Sequence, residues 1–237
     1  MGDPVIAVGL ATVPARRKVV HRVIDSILGQ TAAPAVVYVA FNGHSAVPHP
    51  DPRVVMREAG TKNCGDLEKF FPLEEASGCS ADYVATIDDD ILYPPDYLEC
   101  LYRWSRYYGD ACAVGVHGRR MRLPCKEFYR GKLYHCCAGL DGPEPVILLG
   151  TGTMFVRRSM LLLNRPWEAA FVNRGDILAA TELARQGVER VAIPRKAGWL
   201  RELPGFRRSA TYTASQRQKY LEGSKRLVNR FSSVLHG

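Results

Sequence analysis

The chain has 237 residues, 46% apolar, 24% charged and 9% aromatic, and its 32 Lys and Arg against 24 Asp and Glu leave a net charge of +8. Such a composition excludes a disordered chain, a collagen-like repeat and a coiled coil, and the length suits one sizeable α/β domain. The positive balance by itself invites nucleic acid or an anionic membrane surface as partner.

No apolar run approaches the roughly 18 residues needed to span a bilayer, and Met1–Ala7 lacks the basic region and long apolar stretch of a signal peptide. The seven cysteines show no CxxC spacing, and His135-Cys136-Cys137 has no matching second half for a metal clip. Reduced, mostly buried thiols and a cytoplasmic location are therefore expected.

In chain order, Val5–Leu10 reads as a buried strand. A helix follows with Val19, Val20, Val23, Ile24, Ile27 and Leu28 on one face, stopping near Gly29, and Val36–Phe41 is a second buried strand. Strand, helix, strand at this spacing is a βαβ unit, so the two strands should pair in parallel. A Pro- and His-rich loop over 44–62 surrounds a short strand, Arg53–Arg57. Cys64–Phe71 begins a helix with Asp66 placed to cap it. Tyr83–Ile87 is a third buried strand, running straight into Asp88-Asp89-Asp90. After Ile91–Tyr93, Pro94-Pro95 starts a helix carrying Leu98, Leu101, Tyr102 and Trp104 and ending at Gly109. Ala111–Val116 is a strand that ends at His117-Gly118, and a basic irregular stretch follows with a hairpin around Arg130-Gly131. An apolar run from Val146 enters Gly150-Thr151-Gly152-Thr153, and Met154–Val156 resumes as a strand. A helix over Asp176–Gln186 and a last strand, Arg190–Ile193, complete the pattern. The expected architecture is α/β: a single Rossmann-like domain over 1–205, with a mostly parallel central sheet flanked by helices, and a basic tail or helix over 206–237.

The acidic triplet is the most informative feature. Like charges a few ångströms apart repel by about 4 kcal/mol per pair at an effective dielectric near 20. In a parallel α/β sheet the C-terminal strand ends are also where ligands bind. A divalent Mg2+ or Mn2+ relieves the repulsion, because it prefers carboxylate oxygens and keeps positions free for phosphates. The Asp88-x-Asp90 spacing lets two carboxylates approach one ion while Asp89 points elsewhere. The alternative is a solvated turn before a helix, disfavoured by the apolar residues on both sides of the triplet.

A DxD sequence at the end of a strand, after an N-terminal βαβ unit, resembles the nucleotide-sugar signature of GT-A glycosyltransferases. Four ordered segments sharpen the likeness: Ile87-Asp-Asp-Asp-Ile-Leu-Tyr-Pro-Pro-Asp-Tyr97, Val114-Gly-Val-His-Gly118, Leu149-Gly-Thr-Gly-Thr-Met-Phe155 and Pro194-Arg-Lys-Ala-Gly-Trp-Leu-Arg-Glu202. Over about residues 4–205 they resemble the bacterial heparosan-capsule α-N-acetylglucosaminyltransferases (KfiA-type). The resemblance implies a GT-A fold, a UDP-sugar donor (UDP-N-acetylglucosamine in the relatives) and Mn2+ or Mg2+. It also implies a growing polysaccharide acceptor, for instance one ending in a uronic acid, and retention of anomeric configuration.

Within that expectation Asp90 ligates the metal, and Asp88 contacts the ion or its water shell and, with Asp89, the nucleotide. Thr12, Pro14 and Arg16 follow the first strand, where this fold passes beneath the nucleotide, and Asn42 ends the second strand in a place suited to nucleoside contacts. Asp66 and Lys69, one helical turn apart, can face one pocket, although a plain cap and an exposed lysine explain them equally well. Gly150, Thr151 and Gly152 offer backbone amides with little bulk beside the donor sugar. Asp176 is placed to orient the acceptor or stabilise the reacting centre, with a helix N-cap as the plain alternative. His117 and Arg201 join it as candidate catalytic residues. Arg195 and Arg201 are candidates to neutralise diphosphate, and Trp199 to stack on a sugar, with a buried structural tryptophan as the plain alternative. The stretch Ile177–Ala180 departs from the relatives' bulkier pattern, which leaves the acceptor open.

Most of the net charge lies beyond the resembling portion. Residues 206–237 hold seven Lys and Arg against Glu222 alone. With Tyr220, Leu221, Leu227, Val228 and Phe231 the tail reads as amphipathic, suited to anionic lipid at the cytoplasmic face of the inner membrane, a partner glycosyltransferase or a capsule-assembly complex. A solvated terminus is the alternative. Two other readings stay open: an inverting transferase using another UDP-sugar, and a non-catalytic basic protein binding nucleic acid or membrane. No zinc-finger spacing, RNP aromatic motif or helix-turn-helix signature supports nucleic acid.

Overall fold

Near-continuous burial along the central strands shows that the sheet is covered on both faces. In the computed structural model, which describes residues 3–43, 45–58, 64–70, 80–128, 130–161, 169–204 and 214–235, β1 (Ile6–Thr12) turns Ile6, Val8 and Leu10 to one face and Ala7 to the other. A single-turn 3-10 helix (Pro14–Arg16) leads to α1 (Val20–Leu28), whose Val20, Val23, Ile24 and Ile27 are buried at helical spacing. At about 1.5–3 kcal/mol for each fully buried side chain, this stripe fixes the helix to the sheet. Next come β2 (Val36–Phe41), β3 (Val54–Glu58), a 3-10 helix (Gly65–Lys69), β4 (Tyr83–Ile87), β5 (Ile91–Leu92) and α2 (Tyr97–Tyr107). Short strands follow: β6 (Cys112–Gly115), β7 (Gly118–Arg120), β8 (Lys132–Tyr134), β9 (Glu144–Pro145) and β10 (Leu148–Leu149). The chain continues through β11 (Thr153–Arg157), α3 (Gly175–Arg185), β12 (Glu189–Ala192), β13 (Arg201–Glu202), α4 (Ala214–Arg230) and α5 (Ser232–Leu235).

The main sheet has the order β3-β2-β1-β4-β11-β6-β12-β9. The βαβ expectation holds, since β1 pairs in parallel with β2, and also with β4. The sheet as a whole is mixed, because β11 runs antiparallel to both of its neighbours, β4 and β6. One face is covered by α1 and α2, with Tyr97, Leu98 and Leu101 against Tyr83 and Phe155. The other is covered by the 3-10 helix at Gly65, by α3 and by the C-terminal helices, with Ile177, Leu183, Val228 and Leu235 against the same sheet. Arg120 lies opposite Lys132 in the antiparallel β7–β8 pair, so the hairpin expected around Arg130-Gly131 is instead a long connection over 121–131 that ends there.

Three further expectations are corrected. The helix expected over Cys64–Phe71 is a five-residue 3-10 helix with Cys64 at its N-cap, and Asp66 does not cap it; Phe71 lies outside the described residues. Asp66 Oδ2 instead accepts the Gly175 N–H at 2.9 Å and caps α3 across the fold. Asp176 is the second residue of α3, whose N-cap is Arg174. The apolar side of the tail does not face outward: Leu227, Val228 and Phe231 are buried in the protein's own core. Arg174 ties α4 to the start of α3, donating to Ser224 Oγ at 3.0 Å and to the Tyr220 carbonyl at 3.3 Å. The tail positions Arg207 and Arg208 lie outside the described residues.

Because Val228 is fully buried, Val228→Ala should cost about 1–3 kcal/mol in urea unfolding. Lys219→Ala, on the exposed side of the same helix, should change stability by less than about 0.5 kcal/mol. Equal effects would contradict the packing of α4 described above.

Candidate functional site

Register places the site. Thr153 lies opposite Ile87 and Met154 opposite Gly115. The residues entering the antiparallel β11 therefore sit beside those leaving β4 and β6. Gly150 N–H accordingly donates to the His117 carbonyl at 2.9 Å, and Gly152 abuts Asp88. A Cβ at Gly152 would overlap the Asp88 carboxylate, so this position requires glycine for close approach rather than for an unusual φ. Tyr93 fastens the junction: its hydroxyl donates to the Gly152 carbonyl at 2.6 Å and accepts the Asp88 N–H at 2.9 Å.

The triplet sits on one side of a cleft of about 410 Å³ lined by Asp88 and Asp90 together with Asp66, Lys69, His117 and Arg119, by Gly150 to Thr153, by Asp176 and Tyr220, and by His135, Cys136 and Glu202. Each carboxylate of the triplet has its own partner. Lys69, only 3% exposed, pairs with Asp88. Asp89 accepts from Thr12 Oγ1 at 2.8 Å and lies 3.5 Å from the Arg16 guanidinium, which also bonds Asp90 Oδ2 at 2.9 Å. Burial works against the charge on Lys69, but Asp88, Asp66 and Asp89 outweigh it and hold its pKa above the ordinary lysine value.

Three carboxyls of the cleft are held above their ordinary pKa, chiefly by burial. Burial and then Asp88 push the Asp90 carboxyl up to about 6. Burial pushes Asp66 up to about 7 against the pull of Lys69, and Asp66 Oδ1 is a buried oxygen with no hydrogen-bond partner among the described residues. Asp176, whose Oδ1 accepts the Ile177 N–H at 2.9 Å, is pushed up to about 6 by burial. This surplus of hard oxygen donors fits a hard divalent cation, which Asp88 and Asp90 would hold. His117 behaves oppositely. Burial, reinforced by His135 beside it, lowers its pKa to about 4, so it is a neutral imidazole at pH 7 and not a counter-charge for phosphate.

The structure thus brings together Asp66, Lys69, Asp88, Asp90, His117, Gly150, Thr151, Gly152 and Asp176 in one cleft. Thr12, Arg16 and Asp89 stand behind it as a brace. Pro14 opens the 3-10 turn that carries Arg16. Asn42 donates to the Gly65 carbonyl at 3.1 Å and steadies the segment bearing Asp66 and Lys69. Trp199 and Arg201 are not among the lining residues. The Trp199 indole donates to Asp96 at 3.0 Å and packs against Tyr97, while the exposed Arg201 pairs in β13 with Leu92. Arg195 is also diverted, its guanidinium donating to the carbonyls of His135, Ala138 and Ile193. Among the lining residues that sequence reasoning did not assign to the site are Arg119, His135, Cys136, Tyr220 and Glu202. The second half missing from the His135-Cys136-Cys137 cluster is Glu202, brought in by strand pairing far along the chain.

A carboxyl whose folded pKa lies above its unfolded value near 4 takes up a proton on folding. Its contribution therefore favours the folded state less as pH rises from about 4 to the folded value, and is level above it. With Asp66 raised to about 7, Asp66→Asn, which keeps an acceptor for Gly175, should be more stable than the parent by about 1–2 kcal/mol at pH 8. The gain should vanish near pH 4, and urea titrations at the two pH values decide the matter.

No protein-family model matches the chain, and no curated protein matches it either.

Proposed function

We propose that the protein is a metal-dependent glycosyltransferase, moving a sugar from a nucleoside-diphosphate donor, UDP-N-acetylglucosamine before others, to a polysaccharide hydroxyl. The observation that carries this reading is the pair Asp88 and Asp90 at the exit of a central parallel strand, lining a cleft beside a glycine-cleared wall. The sequence resemblance to GT-A transferases points the same way.

Transfer breaks the bond between anomeric carbon and diphosphate and forms one to the acceptor oxygen, so negative charge builds on the leaving diphosphate. A divalent cation held by Asp88 and Asp90 would supply Lewis-acid neutralisation of that charge. Arg119 also lines the cleft and adds positive charge suited to phosphate oxygens. Lys69, buried and paired with Asp88, holds that carboxylate in place for the donor. The wall at Gly150–Gly152 admits the sugar ring, and the neutral His117 imidazole can hydrogen-bond a sugar hydroxyl without repelling or attracting charge. Asp176, on the α3 side of the cleft, is the carboxylate available to the reacting centre or the acceptor hydroxyl.

The test incubates the protein with a panel of UDP-sugars and Mn2+, following donor hydrolysis and then transfer to uronic-acid-terminated oligosaccharides. Hydrolysis and transfer with UDP-N-acetylglucosamine are expected, and Asp90→Asn should lower kcat/KM by about 10²–10³-fold. Neither binding nor turnover of any UDP-sugar would overturn the reading, as would parental activity in Asp90→Asn.

A further inference from the structure

The same cleft is also lined by a cluster of different chemistry. The donor atoms of His135, Cys136, Cys137 and Glu202 all fall within 4.8 Å of one another. Cys136 Sγ is 3.9 Å from Cys137 Sγ and 4.0 Å from His135 Nδ1, and His135 Nε2 is 3.2 Å from Glu202 Oε1. Around a tetrahedral Zn2+, bond lengths of about 2.0–2.3 Å set the donors roughly 3.3–3.8 Å apart. His135 offers one ring nitrogen to an ion, and its Nδ1 also accepts the Cys137 N–H at 3.2 Å; with one donor atom per residue the four lie within 4.8 Å and draw in to that spacing when the ion binds.

We infer that His135, Cys136, Cys137 and Glu202 form a binding site for one Zn2+ ion or a similarly borderline-soft divalent metal, separate from the hard-oxygen site at Asp88 and Asp90. Two thiolates and an imidazole select against Mg2+ and Mn2+, which favour all-oxygen surroundings. Binding displaces the two thiol protons to solvent, so affinity rises with pH.

The backbone around the cluster is held in place. Arg195, 9% exposed, donates to the carbonyl of His135 at 2.7 Å, of Ala138 at 3.0 Å and of Ile193 at 2.9 Å. The Cys137 carbonyl accepts the Gly198 N–H at 2.9 Å. On the other side, Glu202 lies opposite Ile91 in the β13–β5 pair, and the next residue's N–H, that of Leu203, donates to the Asp90 carbonyl at 2.7 Å. An ion here joins the His135 turn to the strand that runs beside the exit of the acidic triplet. Its role is to clamp that wall of the cleft.

The experiment uses the full chain, reduced and stripped of metal, titrated with Zn2+ against a chromophoric chelator and, separately, with Co2+. One Zn2+ per chain, a raised melting temperature and a thiolate-to-cobalt charge-transfer band are expected. Cys137→Ser and Glu202→Gln should each weaken Zn2+ binding at least about tenfold, while Cys100→Ser leaves it unchanged. Melting curves of the metal-free variants verify that each one folds. Wild-type binding no tighter than that of the Cys136→Ser/Cys137→Ser double variant overturns the proposal, as does unchanged affinity in Cys137→Ser or in Glu202→Gln. No nucleotide is present, so this outcome is independent of whether the protein transfers sugar.

Discussion

Three carboxylates leave a buried strand in succession, and their mutual repulsion dictates what must surround them. Asp88 is met by Lys69 from the 3-10 helix, and Asp89 by Thr12 from the end of β1. Arg16, in the turn just after β1, reaches both Asp89 and Asp90. The partners come from segments distant in sequence, so the triplet is neutralised only where these segments meet at the strand ends. The balance is incomplete by design of the fold: Asp66, Asp90 and Asp176 remain difficult to ionise. A folded protein that retains such a surplus gives up stability at neutral pH, which is typical of a site shaped for a ligand rather than for rest.

Local order was legible in the residues. The strands at Val36 and Tyr83, the apolar stripe from Val20 to Ile27 and the stop at Gly109 follow from periodicity and backbone preference. The joint placement of Asp66 and Lys69 in one cleft was legible too, because a single turn separates them. What escaped depended on long-range pairing. Nothing near Gly150 announces that β11 runs against β4, yet that reversal brings Gly152 onto Asp88. Glu202 looked like the end of a motif until the β13–β5 pairing carried it to His135. Asp66 carried a local capping signal, and its oxygen was used by another helix. Arg195 and Trp199 carried functional-looking chemistry that packing turned to structural use.

The cleft therefore sorts donors by hardness. Oxygen ligands gather where β4 ends, and sulfur and nitrogen gather at the His135 turn, with Glu202 reaching across from β13. The two groups share a wall through the Leu203–Asp90 hydrogen bond. His117 lies between them in a neutral state, which keeps the intervening surface free of a third charge.

The support of α3 by α4 and α5 bears on how the protein is made. Val228 and Leu235 complete the packing beneath Ile177 and Leu183, and Arg174, at the mouth of α3, is held by Ser224. A ribosome adds these helices after every other described element. The sheet and its acidic triplet can form while synthesis continues, but the helix bearing Asp176 gains its full backing only when residue 235 has emerged. Maturation of the cleft thereby waits on the synthesis of residues 214–235.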